Sequence, residues 1–319
     1  MVFSEETFNL KNTENQTIYG VIHHPDKPNG GLVIMFNIGL HYRVCHSRLF
    51  VRQARELQAS GYNTVRFDMP GTGYSHGEMP IGRAIDTFDA IQTGYFKNDA
   101  LLTVEYLRKR LQPKKIYFYG LCGGALTGII TAAADKYIDG VIFVAGPILV
   151  TSAEAEQSSM HPIDADMVFS MYLRRALNPR AWMRFFSGKS SYKDLFASLM
   201  VKFTKRLPSP KSKQLIDVDV DENDTKGKHG FYNRVFHKSF DSLVKSGKKV
   251  LFVMPDYDRA AYDFKRIFVK YIVKDYSGHS DYFNIEEIPK ANHTFSTRES
   301  SRQLFDTTIK WLNKELISE

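Results

Sequence analysis

Only two cysteines, Cys45 and Cys122, occur in 319 residues. Two are too few for a disulfide framework, so the expected compartment is a reducing cytoplasm. Long apolar runs are missing as well: none approaches the ~20 residues that a bilayer-crossing helix needs. The opening residues, MVFSEETFNLKNTENQ, lack the basic start and apolar stretch of a signal peptide, in keeping with that expectation. No internal repeat is visible, and 43% hydrophobic with 24% charged residues excludes a globally disordered chain. Acidic residues are the minority charge, 35 against 43 Lys and Arg, which leaves a net +8 and a pI of about 9.2. That balance permits nucleic acid, an anionic membrane surface or an acidic partner and selects none of them. The length admits one large α/β domain or a core with a cap.

What is present is an alternation of strands and helices, the pattern of a largely parallel sheet. TFNLKN and TIYGVIHHP read as two antiparallel strands joined by a polar turn. GLVIMFN (31–37), NTVRFD, KIYFYG (115–120), GVIFVAG (140–146), KKVLFVMPD (248–256) and DYFNIEEI read as the remaining strands. Helices are predicted over 46–60, 98–111, from Gly123, over 260–273 and over 297–316. From 151 to about 230 the alternation stops, which predicts a helical cap inserted between strands 6 and 7. The expected organisation is therefore a core in two parts, 1–150 and 231–319, interrupted by a cap over 151–230.

Gly120-Leu121-Cys122-Gly123-Gly124 stands between a strand and a helix and fits the nucleophile-elbow pattern, with Cys in place of the usual Ser. A sharp strand-to-helix turn holds the nucleophile in a strained conformation, so small residues are needed two positions to either side, where Gly120 and Gly124 stand. The helix that follows aims its N-terminal amides at residue 122, a field that favours thiolate, and the Gly123 amide becomes one oxyanion donor. The competing reading is a buried Cys in a Gly-rich turn. A Rossmann phosphate loop is disfavoured because the G-x-G-x-x-G spacing is missing. An acyl-transfer nucleophile needs a base, and the base needs an orienting carboxylate, in the chain order nucleophile, acid, His. His293 lies between the last strand and the last helix, where a loop can aim an imidazole at the elbow. After the seventh strand, Asp258 is favoured by register and Asp256 is the fallback. The second oxyanion donor is expected from Ile38-Gly39-Leu40, with His41, Tyr42, Arg43 and Cys45 either lining the pocket mouth or packing nearby. Asp68, in RFDMPGTGYS, is read as fixing its Gly-rich turn rather than as a chemical group.

The segments GLHYRVCHSRLF, RFDMPGTGYSHGE, GLCGG, LRRALNPRAWMRFFSGKSSYKDL, MPDYDRAAYDF and ANHTFS, in this order, resemble the exosortase A system-associated hydrolases of the α/β-hydrolase superfamily. The resemblance spans roughly 32–311. It implies an α/β-hydrolase fold with a mostly parallel eight-stranded sheet, Cys122 as nucleophile, Asp258 as acid and His293 as base. Cys elbows also occur in dienelactone hydrolases and polyhydroxyalkanoate synthases, which respectively hydrolyse and transfer acyl groups.

Between 171 and 213 the chain has eleven Lys or Arg and one acid, Asp194, a local +10, so the remaining residues together sum to −2. Leu195, Phe196, Leu199, Met200 and Phe203 recur at helical spacing there, and Trp182, Phe185 and Phe186 add aromatic bulk. Trp182 and Phe186 are expected to bind substrate under the cap, whose basic surface suits an anionic carrier such as acyl carrier protein or coenzyme A. A solvated amphipathic helix packed on the core is the plainer alternative. No nucleic-acid recognition motif accompanies the charge. The acidic tract Asp217, Asp219, Asp221, Glu222, Asp224 lacks the glycine and terminal Glu of a calcium loop, so neither a metal nor a cofactor is expected. The expected function is a Cys-dependent thioesterase or esterase acting on an acyl thioester. The alternatives are an acyltransferase and a ligand-binding homologue without turnover.

Overall fold

The computed structural model describes residues 4–79, 84–150 and 232–317. The expected cap over 151–230, with Trp182, Phe186, the basic stretch 171–213 and the acidic tract, lies outside the described residues. The described residues all belong to the unit formed by Met1–Ala153 with Phe231–Glu319.

Two N-terminal strands, β1 (Ser4–Lys11) and β2 (Thr17–His24), form an antiparallel pair. Their turn is built by asparagines: Asn12 Oδ1 accepts from the Glu14 and Gln16 amides at 3.1 and 2.9 Å, and Asn15 takes φ 60°. The other strands are β3 (Gly31–Phe36), β4 (Asn63–Phe67), β5 (Lys115–Leu121), β6 (Gly140–Val144), β7 (Lys249–Tyr257) and β8 (Phe283–Asn292). They join one eight-stranded sheet in the order β1-β2-β4-β3-β5-β6-β7-β8, with β3 to β8 mutually parallel and β2 antiparallel to β4. The seven α-helices of the described residues are α1 (Leu49–Ala59), α2 (Ala84–Gln92), α3 (Lys97–Leu111), α4 (Gly123–Ala134), α5 (Arg234–Lys245), α6 (Arg259–Asp263) and α7 (Arg298–Ile317).

Strands β3 and β6 are apolar at every position because both faces of the sheet are covered. Alternate residues divide between two cores. Ile34, Phe36, Phe118, Phe143 and Phe252 join one cluster with residues of α3, α4 and α5. Val33, Met35, Tyr117, Tyr119, Leu121 and Val253 join the other with residues of α1 and α7. Strands β3 and β5 are neighbours, yet α1 follows β3 onto one face and α4 follows β5 onto the other. A crevice opens at the carboxyl ends of strands where the winding reverses in this way. Ile38-Gly39 and Cys122 both leave the sheet at that point.

The structure differs from the sequence expectation in four places. The helix expected over 46–60 begins at Leu49; a 3₁₀ turn, His46–Arg48, precedes it, with Ser47 and Arg48 at φ 49° and 57°. No side chain of that turn is buried, so nothing anchors it as part of the amphipathic helix. The helix expected over 260–273 is α6 followed by an i→i+5 bonded turn over Phe264–Ile272 and a 3₁₀ segment over Val273–Tyr282. Phe264, Phe268, Ile272 and Tyr276 are all buried at a spacing of four, which a turn wider than 3.6 residues keeps on one face. Helix α2 was not anticipated. Neither was α5, although Asn233 caps it by accepting from the Phe236 amide at 3.0 Å, and Phe236, Phe240, Leu243 and Val244 form its buried stripe.

Candidate active site

Cys122 sits between β5 and α4 at φ 56°, ψ −123°, half-buried. Its amide donates to the Val144 carbonyl at 2.9 Å, which ties the turn to β6. A Cβ on Gly120 would lie 2.2 Å from the Gly124 carbonyl oxygen, and one on Gly124 would lie 2.4 Å from the Phe36 carbonyl oxygen. Backbone cannot yield there, so glycine at both positions is what lets the helix start this close to the ends of β3 and β5. At Gly123 an added Cβ would stand 3.1 Å from Gly39 Cα and 3.3 Å from Gly39 N. Gly123, one expected oxyanion donor, is therefore adjacent to Gly39 of the Ile38-Gly39-Leu40 loop from which the second is expected.

The last strand pair sets the other side of the site. Strands β7 and β8 pair regularly as far as Pro255 opposite Ile288, then shift register so that Tyr257 stands opposite Asn292. The next residues on each strand are Asp258 and His293, and His293 Nδ1 donates to Asp258 Oδ2 at 3.1 Å. The loop holding the imidazole is closed by Asn292, whose Oδ1 accepts from the Ser296 amide at 3.0 Å and whose carbonyl accepts from the Phe295 amide at 3.0 Å. The two carboxylates that the sequence left as alternatives have separate partners: Asp256 Oδ1 accepts from the Ala291 amide at 3.0 Å, and Asp258 faces His293. Burial works against charge on His293, but hydrogen bonds to Asp258 and Cys122 and the charges of both outweigh it, raising its pKa to about 10. Cys122, His293 and Asp258 thus form a continuous set, with the imidazole in the middle.

The loop after β3 carries the remaining predicted residues. Ile38 is buried, Gly39 takes φ 45°, and the His41 amide donates to the Ile38 carbonyl at 2.7 Å. His41 and Tyr42 are exposed; the His41 ring lies 4.1 Å from that of His46, and burial, then the nearby His46, lower its pKa. Arg43 is turned to the buried Asp68 carboxylate, with which it forms an ion pair. Asp68 also accepts from the Tyr74 amide at 3.0 Å, so it fixes the Gly-rich turn as read from the sequence. Cys45 is buried in the α1-side core rather than at a mouth. Sequence reasoning missed Asn37, which donates to the His41 carbonyl at 2.5 Å and to Thr72 Oγ1 at 3.0 Å. An amide side chain directly after a fully apolar strand was the available signal. It also missed Phe88, whose exposed ring would lie 3.3 Å from a Cβ at Gly39; nothing in the sequence marks it.

Among the described residues, no group of three His, Cys, Asp or Glu side chains is arranged to hold a metal ion. No helix there is long and apolar enough to cross a membrane. A family model described as alpha/beta hydrolase fold matches residues 33–283. No curated protein matches the chain. Among solved structures, the chain is similar to the Pyrococcus furiosus esterase Pf2001 at TM-score 0.56 and 13% identity, covering 98% of this chain and 93% of that one. It is similar to XC6422 from Xanthomonas campestris, described as an α/β serine hydrolase without lid, at TM-score 0.54 and 12% identity, covering 99% and 96%. It is also similar to Est1E from Butyrivibrio proteoclasticus with bound ferulic acid, at TM-score 0.53 and 15% identity, covering 98% and 100%. At these identities the likeness is one of fold.

Proposed function

The chain belongs to the alpha/beta hydrolase fold family, and from that premise we propose that it is a cysteine-dependent acyl hydrolase, a thioesterase that forms an acyl-enzyme on Cys122. The observation that carries this reading is the single imidazole bonded to both a carboxylate and the elbow sulfur, with its pKa raised to about 10. A histidine so held favours its protonated form. It is an acid poised for a leaving group while the sulfur is free.

The chemistry divides into two halves. The Cys122 sulfur attacks the thioester carbonyl, a C–S bond forms, and the carbonyl π pair moves to oxygen, where the Gly123 and Gly39 amides hold it. Collapse of the adduct breaks the original C–S bond, and the departing thiolate takes a proton from His293. Acylation removes the sulfur's interactions with His293, among the causes that raise its pKa, so the imidazole falls toward neutrality when it is needed as a base. Water then attacks the acyl carbon as His293 takes its proton. The second adduct expels Cys122 as thiolate, and His293 is again the imidazolium. Asp258 keeps the ring oriented through Nδ1 in both halves.

Thioesters are favoured over ordinary esters because exchange of one thiol for another is nearly balanced in energy, whereas an alkoxide is a poorer leaving group than a thiolate. The +10 carried by residues 171–213 supports an anionic carrier, coenzyme A or an acyl carrier protein, as the thiol half of the substrate. Incubation of the full chain with a panel of acyl thioesters, read by intact mass, tests this directly. A transient acyl adduct that disappears in Cys122→Ala is expected; no adduct on the wild-type chain, or an unchanged adduct in the variant, refutes it. Products formed with added alcohols or amines separate hydrolysis from transfer.

A further inference from the structure

The loop that presents Gly39 is closed on itself by His41 N–H to the Ile38 carbonyl and Cys45 N–H to the Tyr42 carbonyl, at 2.7 and 3.1 Å. These bonds shape the loop without tying it to its neighbours. The side-chain ties come from the Gly-rich turn after β4. At the start of the loop, Asn37 donates to the His41 carbonyl at 2.5 Å and to Thr72 Oγ1 at 3.0 Å. At its end, Asp68 takes both donors of one residue: Oδ1 accepts from the Arg43 amide at 2.6 Å and Oδ2 from the Arg43 guanidinium. Oδ2 also accepts from the Tyr74 amide at 3.0 Å. The Arg43 carbonyl in turn accepts from Arg66 Nη1 at 3.2 Å, and Arg66 Nε donates to the buried His23 Nε2 at 2.9 Å.

Asp68 is fully buried, and a carboxylate in that position is unfavourable unless its acceptor sites are filled. Here they are filled from the loop that carries Gly39 and from the turn at Tyr74. A Cβ on Gly73 would lie 2.3 Å from Asp68 Oδ2 and 2.7 Å from Tyr42 Cβ, so the turn and the loop are pressed together around this carboxylate. We infer that the buried Asp68–Arg43 pair is the positioning device of the oxyanion donor, holding the Gly39 amide against Gly123. Asp68 is then a positioning residue that touches no reacting atom. Arg43, left by the sequence between the pocket mouth and packing, acts through the loop. The assignment rests on the reading of Gly39 as an oxyanion donor. A loosened loop lets the amide drift from the oxygen, and displacement by about 1 Å costs on the order of 100-fold in rate.

Two reactions of the same sulfur separate this role from general support of the fold. Acylation by a thioester develops an oxyanion, whereas alkylation by iodoacetamide displaces iodide at a saturated carbon and develops none. In Asp68→Asn, which keeps the side-chain size and removes the charge, acylation of Cys122 is expected to slow about 10- to 100-fold while alkylation keeps its wild-type rate. Arg43→Met should show the same split, and Arg43→Lys should recover part of the acylation rate; this pair carries the test if Asp68→Asn does not fold. Equal acylation in variant and wild type overturns the inference, as does a parallel fall in both reactions. Absence of acylation in the wild-type chain instead overturns the thioesterase reading on which the inference stands.

Discussion

Cys45 and Cys122 both take positive φ, 63° and 56°, and each stands directly before a helical turn, Cys45 before His46–Arg48 and Cys122 before α4. They share a positive φ and differ in ψ, 173° at Cys45 and −123° at Cys122. Their surroundings differ. Cys45 is buried in the core on the α1 side, and burial pushes its thiol up to about 12, against the opposing effect of the His46 and Phe50 amides and Arg52. Cys122 is half-buried, with its sulfur against the His293 imidazole. On the proposed reading, a helix N-terminus and a strained turn are thus not enough to make a nucleophile. What separates the two cysteines is an imidazole against the sulfur, itself bonded to a carboxylate. The largest expected effect tests that separation: Cys122→Ala should bring acyl-thioester turnover to background, a loss of about 10⁵-fold or more. Limited iodoacetamide treatment of the folded chain should add one adduct, at Cys122, by peptide mass mapping. An adduct at Cys45 under the same conditions would break the comparison.

Second in size is the carboxylate behind the base. Asp258→Asn keeps the shape of the site and removes the charge that faces His293, and should lower kcat by about 10²- to 10⁴-fold. Asp256→Asn keeps an oxygen able to accept from the Ala291 amide, so its kcat should remain near wild type. If the two variants lose activity equally, the base is not oriented by Asp258 alone.

The elbow was legible because its requirement is local and steric. Gly120, Cys122 and Gly124 must have their spacing whatever the rest of the chain does. The buried strands themselves were legible too, since apolar runs such as GLVIMF and GVIFV are possible only where both faces are covered. The choice between Asp256 and Asp258 was not fully legible. It depends on a register shift late in the β7–β8 pairing, a property of two strands and not of one. Arg43 was left between the pocket mouth and packing for the same kind of reason. Its partner, Asp68, lies 25 residues away and is invisible to spacing. The wide turn over Phe264–Ile272 was hidden because a spacing of four is close enough to 3.6 to pass as an ordinary helix.

A third, smaller effect is a pH dependence of stability in which two histidines oppose each other. His293 has its pKa raised from 6.5 to about 10, so its contribution is fully present below pH 6.5 and is lost as the pH rises through 10. His23, beside Arg66, has its pKa lowered from 6.5 to about 4 by burial and by the Arg66 charge. Its contribution is present above pH 6.5 and is lost as the pH falls through 4. Thermal melts of the wild-type chain should therefore decline on both sides of about pH 6.5. His293→Gln should flatten the alkaline side and leave the acid side as it was. A variant whose alkaline slope matches wild type would mean that the Cys122–His293–Asp258 contacts do not hold charge in the folded state.

The smallest effect on activity is expected at the other cysteine. Cys45→Ala removes one sulfur from the α1-side core and takes an acceptor from the His46 and Phe50 amides. Loss of a buried group of that size costs about 1–2 kcal/mol of stability, visible as a lower denaturation midpoint in urea. Catalysis should not follow, because the sulfur faces packed side chains and not the site. The loop between Gly39 and Cys45 gives this variant its discriminating power: Cys45 closes that loop through its backbone amide, which alanine retains. Acylation should therefore stay at the wild-type rate while stability falls. If acylation falls with it, the Cys45 side chain itself sets the position of Gly39, and the line between a packing cysteine and a catalytic one is no longer the presence of a base alone.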